Sequence, residues 1–186
     1  MKPVWRMLIT LLLRGGGKQG EVCWKAFFFN DIFFIEATKS GIDRNKLNSD
    51  IGKVPYITRT DKNNGWDSFV GMQSEYQKDN GNVITVGLDT QTAFYQPLAF
   101  YTGQNIQILS HDKMNKHVAM FIIPLLKMQM QKFNWGGNGA TLGRLRRQRI
   151  KLPADENGNP DFDFMESFMK RKEAEMLSLY KQRIQI

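Results

Sequence analysis

The sequence predicts a fold that mixes β-strands and α-helices, with strands dominating up to about Leu109 and helices after it. Two patterns predict it. Between Trp24 and Leu109, short apolar runs alternate with polar or glycine-bearing turns, as strands do. After His111, apolar residues recur at 3–4 spacing, as on one face of a helix. The 186 residues, 41% apolar and 12% aromatic, suit one domain with a real core and an appended element, and exclude a disordered chain.

The chain opens with "MKPVWRMLITLLLRGGG". Its basic start and the run Met7–Leu13 mimic a signal peptide, but Arg14-Gly15-Gly16-Gly17 follows without a small-residue cleavage site. The run is too short to span a bilayer. Residues 1–23 therefore read as a leader and glycine linker without an assigned role, ahead of a domain over 24–160 and a helix over 161–186.

In "WKAFFFNDIFFIEATKSG", Asn30-Asp31 separates the apolar clusters Phe27–Phe29 and Ile32–Ile35. The second cluster reads as a buried strand running into a Lys39-Ser40-Gly41 turn. A polar loop, "GIDRNKLNSDIG", leads to a strand at "KVPYIT", where Pro55 suggests an edge or strand-start position. "DSFVG" is short and extended. "GNVITVGLD" is apolar on both alternating faces, as in a central strand. Phe94, Tyr95, Phe100 and Tyr101 precede another strand at Ile106–Leu109.

"HDKMNKHVAMFIIPLLKMQMQKF" predicts a helix with Val118, Phe121, Ile122, Leu125, Leu126 and Phe133 on one face, kinked or broken at Pro124. A glycine-rich loop, "NWGGNGATLGR", an extended basic stretch, "LRRQRIKLP", and a turn, "ADENGNPDF", follow. Asp161–Ile186 is the last helix. Asp161 can cap it. Phe162, Met165, Met169, Met176 and Leu179 form a stripe that Leu177, Tyr180 and Ile184 widen and Lys172 interrupts. At full length this helix spans about 39 Å, long enough either to fold back on its own core or to pair with a second helix.

The net charge of +8 fits nucleic acid or an anionic membrane surface as a partner, although a basic balance is also common in proteins with neither. A single cysteine, Cys23, permits no intrachain disulfide and no cysteine-based zinc site. The two histidines, His111 and His117, lie in a polar stretch and read as surface residues. "NWGGNGATLGR" lacks the Gly-Lys-Ser/Thr of a phosphate loop and follows a helix instead of a strand. "NPDF" resembles an adenine methyltransferase box only superficially, since Asp161 stands where a proline belongs. No HExxH or paired-histidine pattern marks a metal centre. Arg144, Arg146, Arg147, Arg149 and Lys151 could hold phosphates through charged hydrogen bonds.

The stretch "VPYITRTDKNNGWDSFV" sets seven polar or flexible residues, Arg59 to Gly65, between a strand and Trp66. Asn-Gly is a strong turn signal, and Arg, Asn and Thr are also the side chains that read base edges or hold phosphates. The residues alone leave both readings open.

Five segments, in this order, resemble the specificity (S) subunits of type I and related restriction-modification systems: "WKAFFFNDIFFIEATKSG", "GKVPYITRTDKNNG", "NVITVGLDTQTAFYQPLAFYTGQNIQIL", "VAMFIIPLLKMQMQKFNWG" and "RLRRQRIKLPADENGNPDFDFMESFM". The resemblance implies an α+β target recognition domain, with a mixed or antiparallel sheet and packed helices, followed by a long C-terminal helix. With room for one such domain, the chain is expected to be a half-subunit or single-domain specificity protein. The resemblance further implies a cytoplasmic, non-enzymatic reader of double-stranded DNA. It would position an adenine methyltransferase subunit, which alone would bring S-adenosylmethionine, and in some systems a restriction subunit. The loop then becomes the reader: Arg59 for guanine or phosphate, Asn63 or Asn64 for adenine. The expected DNA-facing set adds Thr60 and Lys62, then Lys39, Arg44, Gln91 and Thr92, with Arg144, Arg146 and Arg147 on phosphates. A homodimer is expected through a coiled coil of the last helix, by Met165, Met169, Met176, Leu179 and Tyr180, in which Lys172 costs stability unless it reaches an acid such as Glu166 or Glu173 of the partner helix. The rival readings are a standalone DNA-modifying enzyme fragment and a remnant or decoy that binds the methyltransferase without DNA.

Overall fold

The computed structural model describes residues 22–48, 50–87, 89–131 and 142–184. The expected leader, except for its last two residues, and most of the expected glycine-rich loop lie outside them. Strand β1 (Trp24–Phe28), the one-turn helix α1 (Phe29–Ile32) and β2 (Phe34–Ala37) come first. Then follow β3 (Val54–Ile57), β4 (Trp66–Val70), β5 (Val83–Gly87), β6 (Thr92–Gln96), β7 (Tyr101–Thr102) and β8 (Ile106–Ser110). Helix α2 (Lys116–Met130), the short α3 (Leu142–Arg146), β9 (Arg149–Pro153) and the long α4 (Phe162–Ile184) complete the order. The fold is α+β, as expected from the resemblance.

Strand β5 is central, as its sequence predicts. It pairs antiparallel with β8 and β6 in a four-stranded sheet of order β2-β8-β5-β6. All five of its residues are buried. Alternation of side chains sends Ile84 and Val86 into the helix-side core, with Ile35, Ala93 and Leu109. It sends Val83 the other way, into a smaller core with Ile57, Phe100, Ile106 and Ile108. That second core joins the sheet to a three-stranded one, β4-β3-β7, in which β3 runs antiparallel to β4 and parallel to β7. Pro55 lies at the start of β3, before the residues that pair with β7. Two sheets and a helix layer thus stack around β5 and β8, and β1 pairs with β9 beside the helices.

Local elements differ from expectation in two places. Asn30-Asp31 is not a break between strands but the middle of α1, because Phe29 and Ile32, three apart, both turn into the core. The basic stretch is extended only over β9; Leu142 and Leu145, again three apart, form a helical turn with Leu145 buried. Helix α2 starts at the cap Asn115, whose side-chain oxygen accepts from the N–H of His117 (2.9 Å) and Val118 (3.1 Å). It runs through Pro124 without a break, held by the burial of Val118, Phe121, Ile122 and Leu126 on either side.

Helix α4 begins as predicted, with Asp161 accepting from the Phe164 N–H at 2.8 Å. Its first turns belong to the main core: Phe162, Met165, Phe168 and Met169 are buried there, and Phe168 meets Phe121 edge to face at 5.9 Å. Met165 and Met169 are therefore core residues, 0% and 3% exposed, and cannot serve as a pairing stripe. The apolar residues further along, Met176, Leu177, Leu179, Tyr180 and Ile184, are more than half exposed. They continue the same helix face, since Met165, Met169, Met176 and Tyr180 follow one another at 4-7-4 spacing.

The expected partners of Lys172 are used inside the chain. Glu166 binds Lys170 at 2.5 Å and accepts from Asn115 Nδ2 at 3.1 Å. Glu173 binds Lys116 at 2.5 Å and His117 at 2.8 Å. Lys172 pairs with Glu175 on its own helix. The histidines are not free surface residues: His117 joins this cluster, and His111 stacks on Phe162 at 4.1 Å, where burial pushes its pKa down.

Two outcomes follow from this docking. Met165→Ala should lower unfolding free energy by about 2–5 kcal/mol, whereas Met176→Ala should change it by less than about 0.5 kcal/mol at micromolar or lower concentration. Chemical denaturation checks both, and equal losses would contradict the docked arrangement. Lys170 and Lys116, the leading causes, hold the carboxyls of Glu166 and Glu173 below their ordinary value of 4.5. Groups with depressed values contribute stability that is present above 4.5 and lost as pH falls through the lower folded value. The stability these two carboxylates contribute should thus be intact above 4.5 and be lost progressively as pH falls below it, with a smaller loss in Glu173→Gln. A pH series of urea melts measures this; a loss of the same size in that variant would contradict the assignment.

Candidate nucleic-acid interface

The polar stretch after β3 is the tip of the β3–β4 hairpin. It closes where the Thr58 N–H donates to the Gly65 carbonyl (2.9 Å) and the Gly65 N–H to the Lys62 carbonyl (2.8 Å). Asn63, Asn64 and Gly65 all adopt positive φ, at 49°, 56° and 80°. Asn and Gly enter this region at least cost, so the residue types that favour a turn here also set its path. Thr60 is half-buried, while Lys62, Asn63 and Asn64 are exposed. Behind the tip, Ile57 pairs with Trp66 while Tyr56 pairs with Ser68. The skipped residue, Asp67, is bulged outward and meets Arg44 at 3.0 Å.

The hairpin lies along β6. Gln96 Nε2 donates to the Asn64 carbonyl (3.0 Å), and Gln96 Oε1 accepts from the Trp66 indole N–H (2.7 Å). Arg59 forms an ion pair with Asp89, in the turn between β5 and β6. Asp89 also accepts from Asn105 Nδ2 at 3.3 Å, in the turn before β8. Gln91 and Asn105 are again left-handed, with φ of 55° and 62°. Three turns from distant parts of the chain therefore meet at one end of the sheets. Lys39 joins them: it is exposed, β2 leaves the sheet there with the Thr38 N–H on the Ile106 carbonyl (3.1 Å), and the Lys39 N–H is held by Asp79 Oδ1 (3.0 Å).

The remaining expected residues lie elsewhere. Arg44 flanks the hairpin, on its bulge. Thr92 is only 7% exposed, too buried to reach a ligand in this conformation; its hydroxyl occupies space beside Gly87, 2.6 Å from where a Cβ would stand. Arg144, Arg146 and Arg147 sit on or beside α3, near β2, across the sheet from β6. The strand order puts β2 and β6 three spacings apart, roughly 14 Å. Arg146 donates to the Ile35 carbonyl at 2.6 Å, and Arg149 lies over the Phe28 ring at 5.1 Å. The arginine segment thus has structural tasks as well as charge.

Sequence reading missed Asp89 and Asn105, which tie the turns together. Asn105, between Gly103 and a strand, carried the same Asn turn signal as Asn63 and Asn64. Asp89 had none, because its partner Arg59 is thirty residues away. The resulting surface offers a guanidinium, an ammonium and several side-chain amides on hydrogen-bonded turns, groups suited to base edges and phosphates. Among the described residues no three His, Cys, Asp or Glu side chains gather as a metal site requires, and no helix is long and apolar enough to cross a membrane.

The type I restriction modification DNA specificity domain matches residues 21–178. The chain is 32% identical over 158 residues to the Type II restriction enzyme BgcI specificity subunit S.BcgI of Heyndrickxia coagulans, covering 82% of this chain and 44% of that protein. Its fold is similar to that of the type I restriction-modification S subunit from M. genitalium, with a TM-score of 0.57, 15% identity, and coverage of 91% and 42%. It is also similar to the HsdS subunit from Thermoanaerobacter tengcongensis, with a TM-score of 0.59, 10% identity, and coverage of 96% and 46%. The chain spans less than half the length of these relatives. With a match over most of its length, it belongs to the type I restriction modification DNA specificity domain family.

Proposed function

We propose that the chain is a sequence-specific DNA-binding specificity subunit, built on a single target recognition domain and working in the cytoplasm. It would position a DNA adenine methyltransferase on its target half-site, and a restriction subunit in systems that have one. The observation that carries this reading is the meeting of the residue 58–65 hairpin, the Asp89–Gln91 turn and Asn105 at one end of the sheets. Asn63 and Asn64 stand exposed on a tip whose backbone is held at both ends, so their amides face a ligand without first being ordered. Lys39, Arg59 and Lys62 supply phosphate contacts around them. The chemistry belongs to the methyltransferase partner, which brings S-adenosylmethionine and extrudes the base; this chain needs no cofactor of its own. Turnover of DNA by the chain alone, with S-adenosylmethionine or Mg²⁺ added, would favour an enzyme instead.

We further propose that the exposed part of α4 pairs with the same helix of a second copy, antiparallel, so that two domains read a two-fold symmetric bipartite site. Support comes from Met176, Leu177, Leu179, Tyr180 and Ile184, which prolong a face already buried at Met165 and Met169 yet are more than half exposed and belong to no apolar core among the described residues.

Binding to duplexes selected from a random pool should weaken steeply with salt, with a log-log slope of about −0.9 per phosphate contact and several contacts in all. Asn63→Ala with Asn64→Ala should lower affinity for the selected site by about 1–3 kcal/mol per lost base contact and leave random duplex nearly unchanged. Fluorescence anisotropy separates the two, and equal losses on both duplexes would remove the hairpin as reader. Met176→Glu with Leu179→Glu should turn the dimer into monomer, since each buried Met or Leu is worth about 1.5–3 kcal/mol. Sedimentation equilibrium decides this, and a wild-type monomer at tens of micromolar (roughly, for an interface of that strength) would end the pairing.

A further inference from the structure

Lys127 belongs to α2, in the helix layer, yet its ammonium is not on that side of the sheet. It lies over the ring of Phe94, 4.8 Å from the centroid. On β6, Ala93 and Tyr95 face the helix-side core, so alternation turns Phe94 to the opposite face. There the Phe94 ring forms a floor under the hairpin: its Cδ2 is 3.3 Å from where a Cβ on Gly65 would stand. Since β6 is an edge strand of the four-stranded sheet, the lysine reaches round that edge to the hairpin side. Its stem is half-buried, and burial lowers its pKa, while the charge of Asp61, in the hairpin, acts in the opposite direction. The charge thus lies on an aromatic face that attracts cations, within electrostatic influence of an acid of the hairpin tip.

We propose that Lys127 is a positioning residue for the hairpin of residues 58–65: held on Phe94, it locks the tip against β6 and so sharpens discrimination between target and non-target DNA. This rests on the DNA-reading function proposed above, but the lock exists in the free protein and is measurable without DNA. Phe94 carries the contact to Gly65, the residue whose N–H and carbonyl both close the hairpin. Gln96, two residues along the same strand, holds the neighbouring Asn64 carbonyl. Loosening the Phe94 side therefore loosens the segment that carries Asn63 and Asn64. A lysine acting only as a phosphate contact would behave differently, because it would matter only when DNA is present and equally on every sequence.

The test uses Lys127→Met, which keeps the buried stem and removes the charge, and Lys127→Arg, which restores a cation able to stack on a ring. Hydrogen exchange of the Thr58 and Gly65 amides is followed in the free protein. Exchange roughly tenfold faster in Lys127→Met and restored in Lys127→Arg is the expected result; unchanged exchange overturns the lock. With DNA, Lys127→Met should lose roughly tenfold in affinity for the selected duplex and little for random duplex, at an unchanged salt slope. Equal losses on both, with the slope reduced by about one contact, overturn it in favour of a phosphate contact. If Lys127→Met does not fold, Phe94→Leu removes the ring while leaving the lysine, and must speed the same two amides for the proposal to stand. Wild-type protein that shows no DNA preference would sink the DNA-reading function, while the exchange measurements still decide the lock.

Discussion

The structure depends on one strand being buried on both faces. β5 carries Val83, Ile84, Thr85 and Val86 in succession, and the pleat sends them alternately to two different cores. A strand with one solvated face would carry polar residues at every second position; here the only polar side chain is Thr85, whose hydroxyl donates to the Phe94 carbonyl (3.2 Å) and accepts from Gln96 (3.1 Å). Because both faces are apolar, the helix layer and the second sheet must both be present for β5 to leave water. A one-residue slip of β5 would exchange the two sets of side chains, and the pairing of Gly87 with Thr92 argues against it, since only glycine leaves room for the threonine hydroxyl. That register fixes the end of the sheet at which the turns emerge.

The turns at that end take their shape for local reasons and are adjacent for distant ones. Asparagine and glycine set the left-handed backbone at Asn63, Asn64, Gly65 and Asn105. The ion pair of Arg59 with Asp89, and Asn105 on the same carboxylate, then join hairpins that are far apart in sequence. An exposed pair of this kind adds little stability by itself. Its consequence is geometric: it directs the guanidinium beside a tip on which Asn63 and Asn64 stand exposed. Buried Asp79 plays a similar part beneath Lys39, accepting from the Lys39 N–H, from the Thr38 hydroxyl at 2.6 Å and from the Ser40 hydroxyl at 3.4 Å.

Helix α4 divides into two parts with different surroundings. Up to Glu173 it is a structural member of the domain, packed by Met165, Phe168 and Met169 and tied to the start of α2 through Asn115, Lys116 and His117. Beyond Glu173 every described residue is exposed, although the apolar face continues. The docked part aims the projecting part, so the direction of the exposed stripe is set by polar contacts that are themselves internal to the domain.

By itself the sequence determined the elements whose signals are local: the central strand at Val83–Gly87, the left-handed turn at Asn63-Asn64-Gly65, the Asp161 cap, and the apolar face of the last helix. The order of its segments was also enough to point to the family. Tertiary structure decided what depends on partners distant in sequence. Met165 and Met176 carry the same side chain on the same helix face, and only the presence of Phe121 and its neighbours makes the first a core residue. Thr92 stood in the expected DNA-facing set, and Gly87 supplies the space that buries it. Arg146 looked like its neighbours Arg144 and Arg147 until the Ile35 carbonyl engaged it. Lys127 offered no local sign of a role, because its ring, Phe94, is reached only round the edge of a sheet. Periodicity and turn chemistry act over a few residues, whereas burial is a property of what packs against a residue, and that is written across the whole chain.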